Sequence, residues 1–200
     1  LMIFDEEWCR PFDESRKGLN LGEGAGFIVI ESAASIEKSG STPIAQLKGW
    51  SNASDAYHQT ASSPDGYGAT LSISEAMKVA GLKPEDIDYI NAHGTGTVNN
   101  DETESFAFTT LFGEQVPPFS STKSYTGHTL AAAGAVEAII SVLSICHGEI
   151  YPNLNFDQPI AGRGLIPVTE LQQQKEIKHV MSNSFGFGGN GTSLIFSKCT

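Results

Sequence analysis

The sequence predicts a layered α/β fold in which a mixed sheet has helices on both faces. Apolar β-branched runs alternate with segments of helical periodicity, which is the pattern of strands and helices in this class. The last two predicted strands, 177–182 and 192–197, have no helix between them, so the sheet is not expected to be purely parallel. With 200 residues, 40% of them apolar, the chain is long enough to bury a core.

Glycine and apolar patterns define the elements of the first third. Residues 22–26 are glycine-rich and lead into Phe27-Ile28-Val29-Ile30, an apolar run that predicts a buried strand. Gly40 is expected to end a short helix over 32–39. The next expected elements are a strand over 44–51 and a loop over 55–66.

A helix of about 13 residues should end at Gly81, because apolar side chains recur at helical spacing before it. Those side chains are Leu71, Ile73, Ala76, Met77 and Ala80. The elements expected after it are a turn at 84–86, a strand at 87–91, a helix at 101–111, a short strand at 117–121 and a long buried helix at 127–147.

The long helix includes an apolar run, 129–146, that resembles a membrane span in composition. The run is short, rich in alanine and glycine, and contains Glu137 near its middle. A charged residue inside a span is costly, so we expect a buried helix in which Cys146 acts as a small apolar residue. No membrane association is predicted.

Composition excludes several classes of function. The net charge of −11 argues against a nucleic-acid surface, which needs a basic stripe. The three cysteines, Cys9, Cys146 and Cys199, are widely spaced and form no CxxC pair, which indicates a reducing, cytoplasmic compartment without structural zinc. No signal peptide opens the chain, and its start suggests a fragment of something longer.

Two histidines in Gly/Thr-rich segments are the main candidates for chemistry. His93 lies in Asn91-Ala92-His93-Gly94-Thr95-Gly96-Thr97 and follows a predicted strand; His128 ends Thr122-Lys123-Ser124-Tyr125-Thr126-Gly127-His128. Two imidazoles that donate to one carbonyl oxygen suit enolate or oxyanion chemistry. Because His128 is expected at the start of the long helix, the positive end of the helix dipole should keep it neutral.

Lys123 and Glu137 are expected to pair, because a carboxylate within an apolar helix should not be left alone. A purely structural ion pair and a role in the site both remain open. His58, His147 and His179 lack supporting neighbours and are expected to be surface or packing residues.

The glycine-rich stretch 186–191 formally matches GxGxxG, but a strand follows it where a dinucleotide site needs a helix. We therefore expect a hairpin loop in which Phe187 can swing and a backbone N–H faces a carbonyl oxygen. A hairpin without further function remains the alternative. The chain has no GxSxG motif, which argues against a serine hydrolase.

Taken in order, the motifs resemble those of the elongating β-ketoacyl-[acyl-carrier-protein] synthases, a branch of the thiolase-like superfamily. They are Arg10-Pro11-Phe12-Asp13, residues 22–26, Ser54-Asp55-Ala56-Tyr57-His58, HGTGT, TKSxTGH and NSFGFGG. The resemblance implies a thiolase-like layered fold with a long buried active-site helix, of which only about half is present. Residues 1–42 would be the tail of the N-terminal half and 43–200 the C-terminal half, with the nucleophilic cysteine upstream.

The resemblance also implies roles for individual residues. His93 and His128 would bind a malonyl thioester carbonyl, promote decarboxylation and stabilise the enolate, while Lys123 and its partner Glu137 order the site. Phe187 would be the gate beside the acyl oxyanion hole. The implied substrate-binding residues are Thr95 and Thr97, which contact phosphopantetheine, with Gly186 and Gly188. The implied ligands of a structural Na⁺ or K⁺ ion are Asn91, Ala92, Glu137, Ser182 and Asn183.

The resemblance implies an acyl carrier protein as partner, malonyl and acyl thioesters as substrates, a homodimer when complete, and no cofactor for the chemistry itself. A basic spot at Arg10, Arg16 and Lys17 would dock the carrier despite the acidic net charge. Two departures from the usual pattern, Tyr125 and the order Gly188-Gly189-Asn190-Gly191, suggest a substrate of different length or shape, as in polyketide or polyene synthesis.

Other functions compete with the decarboxylative Claisen condensation that the resemblance implies. A non-catalytic partner resembling a chain-length factor would usually have lost the histidines, which this chain keeps. A thiolase would need a C-terminal cysteine motif, and Cys199 lacks that context. An isolated binding module is the last alternative, and these 200 residues alone are expected to be inactive.

Overall fold

A mixed five-stranded sheet forms the centre of the computed structural model, which describes residues 4–199. Its strands are β1 (Ala45–Ser54), β2 (Tyr89–Asn91), β3 (Phe119–Ser120), β4 (His179–Gly186) and β5 (Asn190–Lys198). They lie in the order β1-β5-β4-β2-β3. The β1/β5 and β5/β4 pairs are antiparallel and the β4/β2 and β2/β3 pairs are parallel, so the predicted mixed sheet is confirmed.

Five helices accompany the sheet in the described residues. They are α1 (Ala33–Ser39), α2 (Tyr67–Ala80), α3 (Val98–Phe112), α4 (Lys123–Thr126) and α5 (Ala133–His147). Short 3₁₀ turns lie at Pro84–Asp86, Leu130–Ala132 and Phe187–Gly189. The last of these turns joins β4 to β5, as the predicted hairpin requires.

The sheet is buried on both faces because successive strand side chains alternate between them. The face on which α2 packs bears Ile90, Met181 and Ile195, which share a core with buried side chains of α2 and α3. The other face bears Tyr89, Val180 and Phe196, which pack with buried side chains of α5. Helices therefore lie on both faces, as predicted.

Local signals set the helix boundaries. Ser32 caps α1 through its hydroxyl and Gly40 ends it in the left-handed region. Gly81 ends α2 in the same conformation. The helix predicted at 101–111 begins three residues earlier, because the Thr97 hydroxyl accepts the N–H of Asn100 and caps α3. Four of the five side chains predicted for the buried face of α2 are buried, and Leu71 is half-buried.

The buried strand predicted at Phe27–Ile30 is wrong. The segment forms no strand, and Phe27, Val29 and Ile30 are 90%, 88% and 72% exposed. The preceding Gly26 lies against the outer side of α5, where an added Cβ would sit 3.1 Å from Ala135. Nothing in the described part of the chain covers the apolar side chains that follow.

The long buried helix predicted at 127–147 is also wrong in its extent. Gly127 has a φ of 67° and Leu130 a φ of 53°, so the backbone turns before α5 begins at Ala133. One helical stretch, Leu130–His147, has the length and apolarity of a membrane span, with 33% of it buried. One side of α5 packs on β4 and β5, and Cys146 on the other side is exposed, which corrects the prediction for that residue.

Candidate functional site

The two motif histidines lie beside each other. His93 follows β2 and His128 lies in the turn after α4, and their ring centroids are 5.3 Å apart with the planes at 84°. His93 is 4% exposed and its ring also contacts Phe185, with centroids 5.9 Å apart. His128 is half-buried.

Lys123 connects His93 to the helix α5. Its Nζ donates to the His93 carbonyl oxygen at 2.6 Å and lies 3.1 Å from His93 Nδ1. It also forms a buried ion pair with Glu137 Oε1, so the structure brings the predicted partners together. Lys123 is 2% exposed, and each of these contacts replaces water that its ammonium has lost.

Both histidines are neutral at physiological pH. Burial, followed by the charge of Lys123, holds the pKa of His93 well below its ordinary value. The same two causes lower the pKa of His128 to about 4. The predicted helix dipole is not the reason, because α5 begins at Ala133, five residues after His128.

The hydrogen bonds fix the tautomer of each ring. His128 Nδ1 accepts the backbone N–H of Leu130 at 3.2 Å, so its proton resides on Nε2. The Lys123 ammonium occupies the Nδ1 side of His93, which likewise leaves the proton on Nε2. The site therefore presents two neutral Nε2–H donors from separate loops.

A buried carboxylate that sequence reasoning missed holds the His93 loop. Glu104 of α3 accepts the backbone N–H of His93 through Oε1 and that of Gly94 through Oε2, both at 2.9 Å. Asn183 donates to the same carboxylate at 3.3 Å. Burial raises the pKa of Glu104 to about 7, and the hydrogen bonds oppose that rise.

Asp101 performs the same task for the next turn of the loop. Its Oδ2 accepts the N–H of Phe12 at 2.7 Å and its Oδ1 accepts that of Gly96 at 3.3 Å. Asp101 and Glu104 are both fully buried and lie three residues apart on α3. Their partners are backbone N–H groups, so no signal in the sequence identifies the two acids.

The loop glycines are required by close approach. A Cβ at Gly94 would lie 2.5 Å from that of Ser121, and one at Gly96 would lie 2.8 Å from the Gly18 carbonyl oxygen. Both residues have positive φ. Between them, the hydroxyl of Thr95 is 2.8 Å from that of Thr97, which places the two predicted substrate contacts together beside the histidine loop.

The β4–β5 hairpin presents Phe187 at its tip, 60% exposed. Gly186 precedes it in an extended conformation, and Gly188 has a φ of 80° and donates to the Gln59 carbonyl oxygen at 2.9 Å. The carbonyl of Gly189 accepts the N–H of Asp55 at 3.0 Å. The loop 55–66 therefore supports the hairpin tip while the Phe187 ring stays free of the described core.

Two buried oxygens fit a cation. Among the described residues, Asn91 Oδ1 and Glu137 Oε2 are buried without a hydrogen-bond partner. Unsatisfied buried acceptors are costly, and oxygen ligands suit alkali cations. The side chain of Asn183 is engaged with Glu104 and Ser193, so it is not free to bind an ion.

The basic spot predicted at residues 10–17 is smaller than expected. Arg16 is 6% exposed and its guanidinium donates to the carbonyl oxygens of Asp13, Thr97 and Val98, so it is a structural residue. Arg10 keeps 30% of its side chain exposed beside Asp157, at 3.2 Å. Lys17 is exposed.

The prediction that His58, His147 and His179 are surface or packing residues is confirmed. His58 and His147 are exposed, and His179 is half-buried with Nδ1 2.8 Å from Ser197 Oγ. Tyr125 is half exposed on α4. Cys9 is buried, and burial raises the pKa of its thiol.

Comparisons with known proteins agree on the family. Residues 44–157 match the model of the β-ketoacyl synthase C-terminal domain. The chain is 43% identical over 195 residues to 3-oxoacyl-[acyl-carrier-protein] synthase 2 of Staphylococcus aureus, covering 96% of this chain and 47% of that protein. It spans about half the length of the curated relatives it matches.

Solved structures show the same fold. The ishigamide ketosynthase/chain length factor matches with a TM-score of 0.94 and 36% identity, over all of this chain and 49% of that one. A type II PKS acyl-carrier protein in complex with its ketosynthase matches with a TM-score of 0.90 and 32% identity, over 96% and 48%. The predicted thiolase-like fold class is confirmed, and the chain belongs to the β-ketoacyl synthase family.

Proposed function

We propose that this chain is the C-terminal portion of a 3-oxoacyl-[acyl-carrier-protein] synthase that condenses a malonyl thioester with an acyl-enzyme thioester by decarboxylative Claisen chemistry. The observation that supports this most is the pair of neutral Nε2–H donors of His93 and His128, whose rings lie 5.3 Å apart. Such a pair is suited to one oxygen on which negative charge develops.

The reaction has two bond changes at the malonyl group. The bond to its carboxylate breaks, CO₂ leaves, and the electron pair becomes an enolate whose oxygen accepts both imidazole N–H groups. The enolate carbon then attacks the carbonyl of the acyl-cysteine thioester, a C–C bond forms, and the cysteine thiolate leaves. Each donor of this kind contributes roughly 10²–10³ in rate.

Neutral rings are essential to this role. A cationic imidazolium would transfer its proton to the enolate, whereas a neutral Nε2–H stabilises the charge and keeps the carbon nucleophilic. Burial of both rings, followed by the charge of the Lys123 ammonium, maintains that state because both disfavour protonation. Glu137 balances the ammonium, and Glu104 holds the main chain of His93.

The nucleophilic cysteine lies in a preceding half that this chain lacks. Cys9 does not suit the role, because burial raises its pKa and favours the unreactive thiol. The exposed apolar side chains of Phe27–Ile30 support a neighbouring half that covers them. The division at 42/43, the cytoplasmic location, the homodimer and the inactivity of these 200 residues alone belong to the same proposal.

Phe187 is the gate of the acyl site, and Gly186 and Gly188 allow its loop to move. Thr95 and Thr97 contact the phosphopantetheine arm, with hydroxyl groups 2.8 Å from each other beside His93. The similarity to the ketosynthase of a type II PKS supports a polyketide substrate, of which a polyene is one form, with fatty-acid elongation as the alternative.

A chain-length-factor-like partner without catalysis is the second candidate function, and the similarity to the ishigamide ketosynthase/chain length factor structure supports it. The retained pair of neutral histidines with their lysine and buried acids favours the enzyme, since a non-catalytic subunit has no use for such costly buried charges. Malonyl decarboxylation by the complete protein distinguishes the two.

His128→Ala in the complete protein should lower malonyl-carrier decarboxylation by about 10²–10³-fold, because one enolate donor is lost. The rate of CO₂ release measures this, and His147→Ala on the exposed end of α5 is the matched control. Near-normal turnover of His128→Ala would remove this residue from the mechanism. Inactivity of the wild-type protein would favour the partner-subunit function.

The pH dependence of decarboxylation should show no fall in rate that comes from protonation of a histidine with an ordinary pKa. With the pKa of His128 lowered to about 4, the neutral donor persists far below the ordinary value of about 6.5. We expect an NMR titration of the His128 ring to show no protonation down to about pH 5 and to show it only as the pH approaches 4. A fall in kcat/KM for CO₂ release near pH 7 would come instead from protonation of the Glu104 carboxylate, which holds the His93 loop. Protonation of the His128 ring centred near pH 6.5 would contradict neutral donors held by burial.

A monovalent Na⁺ or K⁺ ion is proposed at Asn91 Oδ1 and Glu137 Oε2, with the main-chain oxygens of Ala92, Ser182 and Asn183 as further ligands. The ion would satisfy two buried acceptors that have no hydrogen-bond partner and hold β2 against α5 beneath His93.

The midpoint of thermal unfolding of the complete protein should be higher in KCl or NaCl than in choline chloride of equal ionic strength. Asn91→Leu should abolish that difference, and Asn52→Leu on the exposed edge of β1 should keep it. Equal midpoints in all three salts would contradict the site.

Docking of the acyl carrier protein is proposed at Arg10 and Lys17, without the buried Arg16. An acidic partner needs local positive charge because the chain as a whole has a net charge of −11. Arg10→Gln should weaken carrier binding about two- to five-fold at low salt and less at high salt, because an exposed ion pair is screened. Calorimetric titration measures this, with the exposed Lys38→Gln as control. Unchanged affinity at low salt would refute the role of Arg10.

A further inference from the structure

We infer that Asn20 is a positioning residue for His128: its side chain fastens the segment 5–9 while its main chain holds the histidine. This inference rests on the proposed function. No side-chain contact joins Asn20 to the imidazole rings of His93 and His128, so it acts through the main chain of His128.

The main-chain contact is direct on both sides of His128. The His128 N–H donates to the Asn20 carbonyl oxygen at 2.7 Å, and the Gly22 N–H donates to the His128 carbonyl oxygen at 3.1 Å. Leu21 lies between Asn20 and Gly22 and pairs with His128 as an isolated parallel β-bridge. Both backbone groups of the histidine are therefore held by the segment 20–22.

The two backbones are in such close contact that neither can shift alone. A Cβ at Gly127 would lie 2.8 Å from the Gly22 nitrogen and 2.9 Å from the Leu21 carbonyl oxygen, and a Cβ at Gly22 would overlap the Thr126 carbonyl. Packing this tight transmits any displacement of 20–22 to His128.

The Asn20 side chain fixes its own end of this contact. Its Oδ1 accepts the N–H of Cys9 at 2.6 Å, and its Nδ2 donates to the carbonyl oxygens of Asp5 at 3.1 Å and Glu7 at 2.8 Å. Both amide donors are thereby used. Three hydrogen bonds to one segment leave the residue a single orientation.

The fastened segment also reaches the other parts of the site. Cys9 Sγ donates to the Lys123 carbonyl oxygen at 3.5 Å, and an added Cβ at Gly96 would lie 3.4 Å from Cys9 Cβ. The segment thus lies against the loops of both Lys123 and His93. Through its side chain, Asn20 connects this segment to the main chain of His128.

The consequence is that Asn20 sets the direction of His128 Nε2–H. The ring is already oriented by the Leu130 N–H on its Nδ1, so the remaining freedom is that of the backbone. A donor displaced by about 1 Å can cost about 10²-fold in rate. We expect about a tenfold loss, because the main-chain hydrogen bonds survive a change of the side chain.

The test uses Asn20→Leu, which removes all three side-chain hydrogen bonds at similar size, in the complete protein. Malonyl-carrier decarboxylation should lose about tenfold in kcat with KM unchanged, while self-acylation from an acyl carrier, which does not need the His128 donor, should stay within about twofold. Asn52→Leu is the matched control, since it removes an exposed hydrogen bond to Thr192 from the edge strand β1, three strands away from β2.

A second variant and a second readout guard against a folding defect. Asn20→Asp keeps an oxygen for the Cys9 N–H but sets a carboxylate against the Asp5 and Glu7 carbonyl oxygens, and should give a loss in the same direction. NMR titration of the His128 ring should show its lowered pKa rising towards the ordinary value in both variants, because the ring becomes less firmly buried.

Unchanged decarboxylation and an unchanged His128 titration would overturn the inference, and so would equal losses in decarboxylation and self-acylation. Failure of the proposed function is separate: the wild-type protein and His128→Ala would then release CO₂ equally slowly. In that case the titration alone decides whether Asn20 positions His128.

Discussion

The rest of the site depends on one buried ammonium, that of Lys123. It contacts the main chain and ring of His93 and pairs with Glu137, so it joins the end of β2, the short α4 and the inner side of α5. Burying a charge is costly unless every contact is made, and here each is supplied by an element that the sheet already positions. The cost is consistent with a requirement for neutral imidazoles, because the same charge disfavours their protonation.

The side chains that hold the main chain of the histidine loop are acids, opposite in charge to Lys123. Glu104 and Asp101 accept backbone N–H groups of residues 93–96, so the loop rests on two buried acids while its side chains face a buried cation. These acids leave the loop peptides little freedom, which suits donors that must not reorganise as charge develops. Burial raises the pKa of Glu104 to about 7, so desolvation outweighs the hydrogen bonds that its carboxylate accepts.

Short-range signals in the sequence were sufficient for much of this arrangement. Alternating apolar strands, the caps of α1 and α2 and the two histidine motifs predicted the mixed sheet and the pair of rings. Predictions that depend on which residues pack over a segment were wrong. The run Phe27–Ile30 has the composition of a strand, yet no described neighbour buries it. Arg16 has the composition of a docking residue, and only its three carbonyl partners reveal that it is structural.

The acids of α3 show a different limit. Nothing in the spacing of Asp101 and Glu104 distinguishes inward acids from solvent-facing ones, because their partners are backbone N–H groups that leave no trace in residue identity. The same holds for Asn20, whose role depends on the carbonyl oxygens of Asp5 and Glu7. Side chains that contact the substrate form motifs, whereas side chains that hold a backbone can be recognised only once the chain is folded. A site built from motif residues alone would therefore contain hydrogen-bond donors of the right type, but no side chains that orient them.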